Sequence, residues 1–122
     1  MENNRTEKPT QNTQQTPYRD EKKYVYLIIL DWAIEDDKGI EFDICATPEK
    51  AFELFHKRIE QEKDPLISWV GDEVFAENGS VNEGYTLDTF IDHTFSKSSY
   101  WCVEDNDTGR FSDIYLRRVL LQ

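Results

Sequence analysis

Residues 23–34 read KYVYLIILDWAI, and after a polar break residues 40–46 read IEFDICA. The first stretch is apolar on both alternating sides. Tyr24, Tyr26, Ile28, Leu30 and Trp32 share one face and Val25, Leu27 and Ile29 the other, the pattern of an inner strand covered on two sides. In the second stretch Ile40, Phe42 and Ile44 alternate with Glu41, Asp43 and Cys45, which predicts a half-buried strand with its apolar set turned inward. Glu35-Asp36-Asp37-Lys38-Gly39 supplies turn formers between them, so the pair reads as a β-hairpin.

Working outward, Thr47-Pro48-Glu49 has the chemistry of a helix start. A threonine oxygen can accept an otherwise unpaired amide, proline suits the first turn, and glutamate suits the positive end of the helix dipole. Ala51, Leu54, Phe55 and Ile59 recur at helical spacing, with Glu49, Lys50, Glu53, Lys57, Glu60 and Glu62 on the wet side. Asp64-Pro65 ends the helix, because the residue before proline disfavours helical torsions. From Leu66 to Lys97 the period blurs. Leu66, Ile67, Trp69, Val70, Val74 and Phe75 fit either a short helix or an extended segment broken by Gly71, and Leu87, Phe90, Ile91 and Phe95 fit a short helix beginning near Thr86. Tyr100 to Glu104 is a strand signal, Asp105 to Gly109 a turn, and Phe111 to Leu121 a second long strand. The predicted fold class is α+β: a small antiparallel or mixed sheet from two β-hairpins, one main helix packed on a face, and a short second helix.

The runs VYLIILDW, CATPEKAFELFHKRIEQEK, NGSVNEGY, YWCVEDNDTG and IYLRRVLL together resemble small uncharacterised bacterial proteins, some from mobile elements, with a hairpin, helix, hairpin layout. The resemblance implies that arrangement and no activity, and it assigns no site residue.

The chain has 122 residues and a formal net charge of −11. Residues 1–22 are polar, with no aliphatic side chain beyond Met1, and composition predicts a disordered tail ahead of a single acidic domain, 23–122. Four bases (Arg5, Lys8, Arg19, Lys22) balance four acids (Glu2, Glu7, Asp20, Glu21) in the tail, so the entire negative excess belongs to the domain. Such a charge repels phosphate backbones and anionic lipid, which argues against direct nucleic-acid or membrane binding and favours basic protein surfaces as partners. The N-terminus lacks the basic-then-apolar pattern of a secretory signal, no run approaches membrane-spanning length, and two cysteines fit reduced thiols better than a disulfide framework. A cytoplasmic protein is the expectation.

Chemistry-bearing motifs are few. Cys45, His56, His93 and Cys102 lack the close pairing of a zinc site, and Asp105-Asn106-Asp107-Thr108-Gly109 departs from the calcium-loop pattern in both its glycine and its terminal acid. A phosphate loop, a nucleophile elbow and an H-E-x-x-H helix are all missing from the sequence. No catalytic residue, metal site or cofactor is expected. What rises above background is charge. Asp72, Glu73, Glu77, Glu83, Asp88, Asp92, Glu104, Asp105 and Asp107 stand against Lys97 alone, nine acids and one base for a net of −8. Aromatic residues fall in the same region. The sequence therefore points to a non-enzymatic interaction module in which Asp72, Glu73, Glu77, Glu83, Asp88 and Trp101 bind a basic protein partner. An inhibitor, immunity or anti-defence factor would use such a surface, as would a mimic of nucleic acid facing a nucleic-acid-binding protein. The alternative is a small-ligand binder or enzyme with a pocket between the sheet and residues 66–97, where Trp69, Tyr85 and Trp101 converge. Monomer and homodimer are both open, the latter through the sheet face opposite the helix. Arg117 and Arg118 point to opposite sides of the last strand, and one of them is expected to pair with Glu41 or Asp43.

Overall fold

The computed structural model describes residues 23–121, and the expected tail over residues 1–22 lies outside the described residues. Among the described residues, five strands form one fully antiparallel sheet. They are β1 (Lys23–Ile34), β2 (Asp37–Cys45), β3 (Tyr85–Phe90), β4 (Ser99–Asp105) and β5 (Phe111–Leu121), in the spatial order β2-β1-β5-β4-β3. Helix α1 (Pro48–Glu62) and the one-turn helix α2 (Trp69–Glu73) complete an α+β layout.

The start of α1 is built as its residues dictate. Thr47 Oγ1 accepts the Lys50 amide at 3.2 Å and Pro48 occupies the first turn. Ala51 and Phe55 are fully buried against Tyr26, Ile28 and Leu30 of β1 and Ile114 and Leu116 of β5. Cys45, Trp101, Val103, Val70 and Val74 complete the core, so α1 and α2 pack on the same side of the sheet. Ser68 caps α2 by accepting the Val70 amide, and Gly71 lies so close to the Lys63 carbonyl that a β-carbon there would collide with it.

Four expectations are corrected. The Thr86 segment is a strand: Gly84, at φ +96°, turns the chain, and Tyr85 to Phe90 pairs with β4 in register, so sheet pairing overrides the helical spacing. The sheet thus gains an edge strand that two hairpins do not supply. Among the described residues β1 is covered on one side only, since both helices pack on the Tyr26–Ile28–Leu30 face. Most consequentially, β2 turns the other way. Ile40, Phe42 and Ile44 are 66%, 63% and 61% exposed, while Cys45 is buried. The reason lies in α1. Arg58 reaches down to Asp43 at 2.9 Å and Glu41 at 3.1 Å, holding both acids on the helix side. Because side chains alternate along a strand, the apolar set then faces away. Arg58 thereby takes the role expected of Arg117 or Arg118. Arg117 is exposed, and the Arg118 guanidinium lies 4.1 Å over the Tyr24 ring.

Candidate functional site

With both helices on one face, the other face of the sheet carries no layer among the described residues, and strand register arranges its side chains in rows. Ile29 pairs with Phe42 on β2 and Tyr115 on β5, Tyr115 with Tyr100 on β4, and Tyr100 with Phe90 on β3. All five strands thus contribute to one continuous apolar and aromatic row. Its rings touch in sequence, with centroids 5.7 Å apart for Phe90 and Tyr100 and 6.5 Å for Tyr100 and Tyr115.

Two residues along every strand the next row reads Ile40, Asp31, Asp113, Cys102 and Asp88, followed by Glu104 beside Phe111. On the opposite flank lie Ile44, Leu27 and Arg117, with Lys23 at the end of β1. The face is therefore polar across its apolar row, with acids on one flank and cations on the other. Burial raises the Asp113 carboxyl above its ordinary range, opposed by the hydroxyl of Tyr115, which donates to Asp113 at 3.3 Å. Burial also pushes the Cys102 thiol up to about 11 and the Tyr115 hydroxyl upward. Cys45 and Cys102 are both free.

The residues singled out by charge are scattered. Asp72, Glu77 and Glu83 are exposed around α2 and the following turns, and Asp88 lies on the bare sheet face. Glu73 is already engaged: it accepts from Arg110 at 2.7 and 3.2 Å and from the Tyr85 hydroxyl at 3.2 Å. Arg110 also donates to Asp105 at 2.6 Å and stacks 4.6 Å over the Trp69 ring. These bonds hold the Glu73 carboxyl below its usual range and bring Asp105 to about 2. The cluster ties α2 to the β4–β5 turn. Trp101, expected as a surface anchor, is 5% exposed and stacks on Phe75 inside the core.

A cleft of about 320 Å³ opens between the far end of β1, α1 and the segment entering α2, with Trp32, Trp69 and Ile67 among its walls. Trp69 is the only one of the three aromatics expected at a pocket that lines it; Tyr85 and Trp101 do not. Its Glu41, Arg58, Glu62 and Ser68 side chains are paired within the protein. Arg58 holds Glu41 and Asp43, and Glu62 accepts from Ser68 at 2.9 Å and from buried Ser112 at 2.7 Å. Among the described residues, no three His, Cys, Asp or Glu side chains converge to hold a metal ion, and no helix is long and apolar enough to cross a membrane.

The sequence offers the sheet face opposite the helix as a dimer surface but places Ile40, Phe42 and Ile44 of β2 on the core side instead. One signal bore on this. Arg58 falls on the Ala51–Phe55 stripe of α1, and a charge on an inward stripe requires acids on the strand beneath it. Neither a protein-family model, nor a curated protein, nor a solved structure matches the chain.

Proposed function

We propose that this protein is a non-enzymatic protein-interaction module whose binding surface is the helix-free face of its sheet. The observation that carries the reading is the five-strand row from Phe42 to Phe90, whose β2 end, with Ile40 and Ile44 beside it, is more than three-fifths exposed. Apolar surface gathered in a row across an entire sheet, rather than scattered singly, is the mark of a docking site. The partner is a protein surface with an apolar ridge and lysine or arginine side chains beside it, placed to meet Asp31, Asp88, Asp113 and Glu104. The acidity read from the sequence keeps its role, on the sheet rather than around α2. An apolar centre suits a protein ridge better than a phosphate-binding groove, so docking of this kind is favoured over imitation of nucleic acid.

The test is retention of a partner by three forms of the protein. Phe42→Lys is expected to abolish retention, while the triple variant Asp72→Lys, Glu77→Lys, Glu83→Lys leaves it intact. The reverse pattern would move the site to α2, and equal retention by all three would defeat the proposal.

The cleft walled by Trp32 and Trp69 supports a second reading, as a site for a flat apolar ligand, because its volume reaches the lower end of small-molecule sites. A saturable rise in melting temperature with one aromatic compound, lost in Trp69→Ala, would favour it.

A further inference from the structure

β5 places Asp113, Tyr115 and Arg117 at alternate positions, so all three project from the bare face, with the tyrosine midway between opposite charges. β2 repeats the symmetry in apolar form, with Ile40 and Ile44 either side of Phe42. We infer that the bare face docks on the same face of a second copy of this chain, about a two-fold axis running along the Phe42–Ile29–Tyr115–Tyr100–Phe90 row. The inference rests on the reading of this face as a docking surface and names its occupant.

The axis follows from charge. A two-fold along the row reverses strand direction and exchanges the flanks, so Asp113 of one copy faces Arg117 of the other, twice over. Ile40 meets Ile44 in the same operation, and Phe42 and Tyr115 meet their own equivalents. An axis along the strands would instead keep the acidic row on itself, setting Asp113 against its own copy if it ran along β5, or Asp31 against Asp113 if it ran between β1 and β5, where like charges repel. Closed two-fold pairs use one patch that is complementary to itself, and two sheets packed face to face keep their strands within about 30° of alignment, which reversed strands satisfy. Residues 1–22 do not match the row: beyond Met1 they hold no aliphatic side chain to lay on it.

Sedimentation of the full chain across the micromolar range tests this directly. The wild type is expected at twice the 14.5 kDa chain mass, and Phe42→Lys, Asp113→Arg and Arg117→Asp each at the mass of one chain, with circular dichroism showing that they remain folded. The double exchange Asp113→Arg with Arg117→Asp restores the pair, since it swaps the charges without removing their complementarity. Should Asp113→Arg unfold, Phe42→Lys and Arg117→Asp decide alone. A wild type that stays single throughout overturns the second copy as occupant, and the partner-retention comparison then judges the docking reading separately. A dimer indifferent to Phe42→Lys and Arg117→Asp overturns it also, by placing the contact elsewhere.

Discussion

Arg110 joins two carboxylates that are 32 residues apart, donating through Nη2 to Glu73 at 2.7 Å and to Asp105 at 2.6 Å while its guanidinium covers Trp69. This contact fastens α2 and its loop to the sheet. Arg110→Ala is expected to cost about 2 kcal/mol, as removing charge-assisted bonds from the buried Asp105 and the part-buried Glu73 does. Chemical denaturation of the variant beside the wild type measures it, and an unchanged midpoint would refute the role.

The same cluster sets an acid limit. Asp105 ionises near 2 in the folded protein against an ordinary 3.8, so its contribution is complete above 3.8 and is lost as pH falls toward 2. Glu73, also lowered by Arg110, acts in the same direction. Melting temperature should therefore decline through this window more steeply in the wild type than in Asp105→Asn. Parallel curves would contradict the assignment.

Gly71 belongs to the same attachment. A methyl group there meets the backbone of Lys63 and Asp64 rather than a side chain able to move, so Gly71→Ala is expected to destabilise by about 1–3 kcal/mol despite the better helix propensity of alanine. Thermal unfolding distinguishes the two effects by sign.

Cys102 lies on the bare face with its thiol raised to about 11 from 9.0, which lowers its thiolate fraction near neutrality about 100-fold. Alkylation at pH 8 should be slow in the folded protein and rapid after denaturation, with Cys45 slow because it is buried. Fast labelling of Cys102 in the native state would mean that the environment formed with Asp113 and Tyr115 is not present in solution.

Local chemistry explains why much of the architecture could be read from sequence. Thr47-Pro48 fixed the helix start, the Ala51–Phe55 spacing its inward face, and the Asp105–Gly109 turn the closing hairpin. Alternation alone could not say which side of β2 faces the core, because Ile40–Phe42–Ile44 and Glu41–Asp43–Cys45 are equally regular. Hydrophobicity favoured the first set, and the Arg58 ion pairs, made across 15 and 17 residues, selected the second. The docking face inherits that inversion. Charge counting reached Asp88 on this face, but it also gathered Glu73, which an arginine 37 residues away had already engaged. Trp101 was placed on the surface because its burial depends on a distant segment: it faces the core beside Ile114 and is stacked on Phe75, which follows α2.

Phe42→Lys separates docking from stability. Its ring is 63% exposed and outside the core, so the substitution should change folding stability by less than about 0.5 kcal/mol. Compared at dilutions where both are single chains, a large loss of stability would show that the ring is packed within that chain.

The most direct measurement of the central claim is hydroxyl-radical footprinting of the protein in extract from its native cells, compared with the dilute isolated chain. Phe42, Tyr100 and Tyr115 should be protected in the extract, whether the occupant is a second copy or another protein, while His56 and His93 on the helix side remain equally reactive in both. Equal reactivity of Phe42, Tyr100 and Tyr115 in the two samples, with protection instead at Trp32 and Trp69, would contradict the claim.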